Sequence, residues 1–594
     1  MTLSLFATAS RCFAGEGPTS QVKLLRLAAA KFPNLSRAER AMLVFAQAGN
    51  IDRGECAVAA TSTNPADSSN DPAHAEEWDL GRDLRASLIR WLATDRTAAP
   101  LVDPKGLCVL GARVTGSLDL SGVRVPFGVR LVRCSIPDVI NLSATDVPSL
   151  SLEGSYTGEI LAVFLTSHEV VNFGSDALSG GQFSASGVVN LTQAKAKFFR
   201  FSGGHFHYSE KPRFSFGDPA FKTALFLLQI ESRGDVELCC GFESNGAVLL
   251  NEAHSSVGDL NCSGGRFFNP GNVALDGGGA SFGWVVLGPI VYGVVGPSGF
   301  EANGAVNFVN TRVRANFLVD QAKFSGKSKE RHGLYAPGLS VGGAFTWRNV
   351  DLPNGASLEL TGARMTVLID EPRSWPVPGQ LFIDGLTYQQ FGIEAPLDSP
   401  RDAGSRLRWL ALQPTFHPQP YRQLAQVLAA GGDDVGATQV RIAAEDLRYS
   451  RYGIPGRIWG AFLKNTIGYG HRPMLTIMWS LAMVVIGWLI VRAAKAAAVM
   501  RPTYPDNALA AGDRRYERLY PLLYSLDVFL PFVNLHHEHY WWPDADAAGR
   551  CRVFGQTLNL RGSVVLYYLW AQIIAGWILS AIFVAGVTGL IRGD

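Results

Sequence analysis

Neither sign of charge dominates this 594-residue chain: Lys+Arg 53 against Asp+Glu 51 leaves a formal net charge of +2. That balance removes the global field that would draw nucleic acid or a strongly acidic partner, so no nucleic-acid partner is expected. Charged residues of both signs make up only 18% of the chain, while apolar content stays ordinary at 47%, which argues against extended disorder. Cysteine is thin and forms no CxxC: the eight are Cys12, Cys56, Cys108, Cys134, Cys239, Cys240, Cys262 and Cys551. Spread this way they read as buried small hydrophobes in a reducing compartment, and the adjacent Cys239 and Cys240 are poorly placed for a structural bridge. No GxSxG, HExxH or Walker A string appears, so neither a catalytic residue nor a cofactor is assigned. The first residues lack a basic n-region, so no signal peptide is expected and the N-terminal bulk is placed in the cytoplasm.

Glycine, by contrast, is plentiful at 63 residues, which suggests many tight turns between short buried strands. A chain of this length should divide into about three or four domains. Residues 1–100 are expected to form a helical cap. In it "SRAERAMLVFAQAG" carries a capping box, Ser36 with Glu39, and ends at Gly49. Residues 55–77 are expected to be an exposed, disordered loop. "LGRDLRASLIRWLATD" should be a helix with Leu84, Leu88, Trp91 and Leu92 on one face.

Over 101–400 the pattern changes to short strands. "GVRLVRCS", "GVVNLTQA", "GAVLLNEA", "GAVNFVNT" and "GAFTWRNV" begin at Gly128, Gly187, Gly246, Gly304 and Gly343. Their separations of 59, 59, 58 and 39 residues fit three, three, three and two periods of about 19.6 residues. The expected fold is mainly β: a right-handed parallel β-solenoid of about 20 residues per coil and roughly fourteen coils, with helices capping its ends. Asp119, Asn141, Glu237 and Asp259 read as solvated faces of its strands. "DGGGASFG" holds Gly277, Gly279 and Gly283, but β-rich sequence follows it. The glycines therefore read as solenoid turns and not as a dinucleotide fingerprint.

Residues 401–472 are expected to be a helical neck and 473–594 a membrane module. Stretches 474–491 and 563–591 are uncharged and long enough to cross ~30 Å of hydrocarbon, giving spans at 474–493 and 563–591. Between them 516–535 is apolar but broken by prolines, which favours a re-entrant or interfacial segment anchored by Trp541 and Trp542. "NTIGYG" matches the string that lines potassium-selective filters, yet it precedes the first span and follows a basic stretch that cannot cross. Gly468, Tyr469, Gly470, Arg472 and Pro473 are therefore expected to form the turn entering the membrane. The pore question moves to "FVNLHHEHYWW", where Asn534, His536, His537, Glu538 and His539 are candidates for a pore-lining or interfacial loop. His536, His539 and Glu538 are also weak metal candidates, although a closed site needs more ligands.

Five motifs in order, "GARVTGSLDLSG", "YRQLAQVLAAGG", "TIGYGHRP", "SLDVFLPFVNL" and "AGWILSAIFVAGVTGLIR", resemble bacterial membrane proteins with degenerate pentapeptide-like repeats. Some of these carry the label membrane-associated oxidoreductase. The resemblance, from about Leu84 to Arg592, implies a repeat domain on a two-helix anchor and no established reaction. The last part is also distantly similar to two-helix ion-channel modules.

The leading expectation is a non-catalytic binding or scaffold protein. Its partners are the lipid bilayer and a protein docked on the solenoid flank, and it would sit in a bacterial inner membrane with the solenoid cytoplasmic. The alternative is a homo-oligomeric channel or pore with the solenoid as sensor. The third is the oxidoreductase of the family label. Basic residues flank the first span on both sides, so they do not assign its orientation.

Overall fold

The computed structural model describes residues 23–49, 56–60, 67–176, 180–210, 222–289, 299–325, 332–353, 355–392, 399–503, 518–553 and 556–588. Cys12, residues 61–66 of the expected loop and the last charged residues lie outside that range. The chain divides into two compact units, Met1–Gln423 and Leu424–Asp594.

The first unit begins with helices α1 (Lys23–Lys31), α2 (Arg37–Ala48) and α3 (Ala86–Thr94). The capping box forms as expected: the Ser36 hydroxyl accepts from the Glu39 N–H, the Glu39 carboxylate accepts from the Ser36 N–H, and Gly49 closes α2 at φ 66°. The stretch expected to be a loop is ordered over 67–77, as two short 3₁₀ turns, and Ala57–Val58 is a strand paired with Val109 and Leu110. Leu84 is not on α3. It lies in strand Asp83–Arg85, which pairs with Arg113–Thr115, because the open edge of the first coil supplies backbone partners there. One cysteine pair also departs from expectation: Cys56 and Cys108 are bonded, with Cα atoms 4.8 Å apart.

From Leu107 to Phe391 the chain coils into parallel β-sheets that, with Ala57–Val58 and Asp83–Arg85 added, have 13, 19 and 8 strands, the largest receiving two short strands from most coils. One inward column shows the register: Leu107, Val129, Leu150, Val171, Phe199, Val236, Leu260, Val285, Phe317, Phe345, Leu368 and Phe391 stand one above another. The fixed period of about 19.6 residues does not hold. Val189 pairs with Leu225 and Leu225 with Val248, so the 59 residues between Gly187 and Gly246 make two coils of 36 and 23 residues, not three. Outer loops of unequal length inflate individual coils while the buried pairs stay in register, so a count on sequence spacing overestimates the number of coils.

An aromatic ladder runs along the interior. Phe183, Phe206, Phe242, Phe267, Phe300, Phe324 and Trp347 stack in succession with centroids 5.2–5.6 Å apart, all essentially buried. Two of the recurrent polar residues expected to be solvated, Asp119 and Asn141, are partly exposed and also close turns. Their side-chain oxygens accept from Ser121 and Ser143 N–H, as those of Asn190 and Asp276 accept from Thr192 and Gly278 N–H in later coils of the same column, and that of Asn261 from Ser263 N–H at another corner. These turns end in left-handed residues, Ala144, Gln193 and Gly279 among them, and Phe164, Gln229, Glu252 and Asn310 take the same conformation in other coils of the Asn141 column. Gly279 therefore belongs to this corner column, and no helix N-terminus follows it.

Helix α4 (Ala403–Leu410) covers the last coils. Its fully buried Arg406 pairs with Asp370 at 2.7 and 2.8 Å and stacks 3.8 Å over the Phe391 ring, so α4 is part of the solenoid cap and not of a neck. Helix α5 (Pro418–Ala430) begins in the first unit, where Gln419 and Gln423 hydrogen-bond the backbone of residues 385–388.

The second unit contains α6 (Asp434–Ser450), α7 (Gly453–Ile467), α8 (Met474–Ala496), α9 (Pro521–Phe529) and α10 (Gly562–Val587), with two short antiparallel ribbons. Helices α8 and α10 are long and apolar enough to cross a membrane.

Candidate functional site

The turn at 468–470 is built as a helix stop. Gly468, Tyr469 and Gly470 all have positive φ (57°, 54° and 88°), a run that only a glycine-rich segment sustains without strain. Gly468 caps α7, and Pro473 stands at the N-cap of α8. The Tyr469 ring stacks on Tyr449 at 5.5 Å and its hydroxyl donates to Asp446, which also holds Lys464. Thr476 and Trp479 of α8 donate back to the carbonyls of Thr466 and Asn465. The five expected turn residues thus form a helix–turn–helix corner.

Helices α8 and α10 run antiparallel: Val484 clusters with Leu579, and Val491 with Val565 and Leu569. Helix α9 lies against both. Its first turn sits at the C-terminal end of α8, where Lys495 Nζ donates to the Leu519 carbonyl at 2.7 Å. Its last residue, Phe529, clusters with Val484 and Leu579. The Phe529 carbonyl closes directly on Gly576, near the middle of α10, where a Cβ would have no room. The chain then returns. Tyr524 donates to the Trp541 carbonyl at 3.0 Å, and Trp541–Pro543 pairs with Met500–Pro502 beyond the C-terminus of α8. Segment 519–543 therefore enters and leaves at the same end of the helix pair, turning back about halfway along it.

Two polar devices hold this segment. Ser525 Oγ donates to the Val484 carbonyl at 2.8 Å, and Gln572 of α10 donates to Ser525 O and Oγ at 3.0 and 2.9 Å. Gly487 of α8 leaves the space these side chains occupy, and Gln572 Oε1 is buried without a partner among the described residues. At the turn, Asp527 is 5% exposed, and its carboxylate accepts three backbone N–H groups: Leu535 at 2.5 Å, His537 at 2.7 Å and Glu538 at 2.9 Å. In the sequence Asp527 is the lone acid of the apolar run 519–535. Its signal was position: an acid eight residues ahead of Leu535, where the chain is non-helical and its N–H groups have no helical partners.

Asp527 thus brings the candidate loop residues together. Asn534 Oδ1 accepts from the His536 N–H at 2.7 Å, His537 packs 5.8 Å from the Tyr520 ring, and the His536 and His539 rings are 6.2 Å apart. Asn534, His536 and His539 are exposed, as is Phe532 at 77%. Among the described residues no three His, Cys, Asp or Glu side chains converge on one point, so His536, His539 and Glu538 gain no further ligand. Trp541 and Trp542 lie in the returning ribbon, not in the turn.

On the solenoid, a groove of about 550 Å³ follows the corner column. Phe164, Lys195, Glu231 and His254 line it beside a ladder in which Gln193 donates to Gln229 and Gln229 to Glu252.

No family model, curated protein or solved structure matches this chain.

Proposed function

We propose that α8 and α10 span a lipid bilayer, that 519–543 is a re-entrant segment, and that several copies assemble this module around an aqueous path, with the β-solenoid as its soluble sensor or docking domain. The observation that carries the reading is the exposed non-helical turn at 530–539, held by Asp527 about halfway along two apolar helices. Irregular backbone with exposed Asn and His side chains is tolerated at that depth only against other protein or water, never against lipid. A second copy and an aqueous vestibule supply both. Exposed Met474, Met478 and Ile574, at 71, 67 and 60%, support a lipid-facing belt on the same helices. Helix α7 adds exposed Ile454, Ile458 and Trp459 beside Arg457, a composition suited to the membrane surface.

Reconstituted full-length protein is expected to form oligomers in lipid nanodiscs and to pass ions across planar bilayers. Asp527→Ala should abolish the current by releasing residues 535–538, while Asp527→Asn retains part of it. Monomers in nanodiscs together with a silent bilayer at every pH and voltage would sink this reading. They would leave a membrane-anchored scaffold, which the groove beside Phe164 favours: a partner bound there should be lost on Phe164→Ala with the module intact.

A further inference from the structure

The mechanism proposed for the second unit makes no use of two nucleophiles in the first. Cys239 and Cys240 lie at a corner of the solenoid with their Sγ atoms 2.6 Å apart. Cys239 is buried and Cys240 exposed. The backbone around them is fixed by the neighbouring coils: Gly203 N–H donates to the Cys239 carbonyl at 2.9 Å, and Cys240 N–H donates to the Ser263 carbonyl at 2.8 Å. At the same corner the coils on either side carry Gly203 and Gly264, with φ 67° and 66°. Cys240 adopts φ 61°, a conformation that glycine takes freely and a side chain does not. A thiol therefore stands exposed in a left-handed conformation, between glycines on the two adjoining coils and with a second thiol against it. Ser202 Oγ lies 3.4 Å from Cys239 Sγ and bonds Glu237 at 3.0 Å, which completes a polar wall.

We propose that Cys239 and Cys240 are a reactive vicinal dithiol on the solenoid, a modification site for two-electron oxidation by peroxide. Cys240 attacks as its thiolate: a sulfur–oxygen bond forms, the peroxide O–O bond breaks, and hydroxide leaves to become water. Cys239 sulfur then displaces the second water from Cys240 Sγ, closing a sulfur–sulfur bond in an eight-membered ring. In sum two thiols lose two electrons and two protons, and one peroxide becomes two waters. The asymmetry of the pair suits these roles. The Cys239 S–H donates to Cys240 and lowers the Cys240 pKa, whereas that same bond, with burial, raises Cys239. Cys262, fully buried and pushed upward by burial alone, is the unreactive reference.

The test is hydrogen peroxide treatment of reduced full-length protein, followed by cleavage after glutamate. Cleavage after Glu237 and Glu243 isolates residues 238–243, which contain both cysteines and no other. The expected result is a peptide lighter by two hydrogens, restored by dithiothreitol, and formed at least about tenfold faster in folded than in denatured protein. Phenylarsine oxide should bridge the reduced pair in wild type and not in Cys240→Ser. Three outcomes would overturn the proposal: ring closure no faster in the folded chain, Cys240 oxidised to sulfinic acid beside an intact Cys239 thiol, or two thiols still alkylated after peroxide.

Discussion

Asp370 and Arg406 form a bidentate pair that is almost wholly out of water, at the end of the solenoid where the last strands would otherwise be open. Removing one partner strands a buried charge. Arg406→Ala should therefore cost about 3–5 kcal/mol, read as a lower midpoint in thermal or denaturant unfolding of the solenoid. Replacing both residues with apolar ones of similar size should cost much less. At the opposite end, burial alone would raise the Glu39 carboxyl, but bonds from the Arg85 guanidinium and from the Ser36 and Arg85 N–H groups outweigh it and hold the pKa below 4.5. Because the folded value lies below the unfolded one, the pair's contribution is complete above pH 4.5 and is lost as pH falls through the depressed value. Acid unfolding followed by proteolysis of α1 and α2 should show this, and Glu39→Gln should flatten the pH dependence. The capping box was legible in Ser36 and Glu39, whose spacing is local. Arg85 and Arg406 were not, because their partners lie 46 and 36 residues away.

At the scale of elements, the solenoid's stability rests on contacts between coils. Phe242 stacks between Phe206 and Phe267 with centroids at 5.4 and 5.2 Å. Phe242→Ala should cost about 3–5 kcal/mol and, since coils stabilise only their neighbours, should expose the adjacent strands first in hydrogen exchange. Uniform loss of protection along the whole stack would contradict that nearest-neighbour picture. The strand character of 107–391 was readable from short alternating runs and glycine turns. Coil length was not, because loops between the in-register rungs vary freely in length. Helices α8 and α10 were visible as uncharged runs, and Pro473 and Gly468 marked the corner before α8. The return of segment 519–543 to its point of entry depends on Gly576 and Ser525 meeting residues far along the chain, and on Asp527 gathering N–H groups eight to eleven residues ahead across a non-helical turn.

For the whole molecule, the Cys56–Cys108 bond bears on which compartment holds the solenoid, since such bonds persist in oxidising compartments. Protein isolated with its thiols alkylated at lysis is expected to yield these two cysteines as one crosslinked peptide pair. Recovery of two alkylated thiols would instead agree with a cytoplasmic solenoid.

By itself the sequence determined what is local or periodic: the capped helix at Ser36, a β-rich repeat region, two apolar helices and the glycine corner between helices at 468–470. These follow from composition and from patterns a few residues long. Only the tertiary structure decided the number of residues in each coil, the partners of the buried charges, and the reach of segment 519–543. It alone set Cys239 against Cys240 at a left-handed corner between Gly203 and Gly264. Each of these depends on which distant residues are brought together, and that is selected by packing and hydrogen-bond satisfaction over the whole chain, not by the spacing of like residues along it.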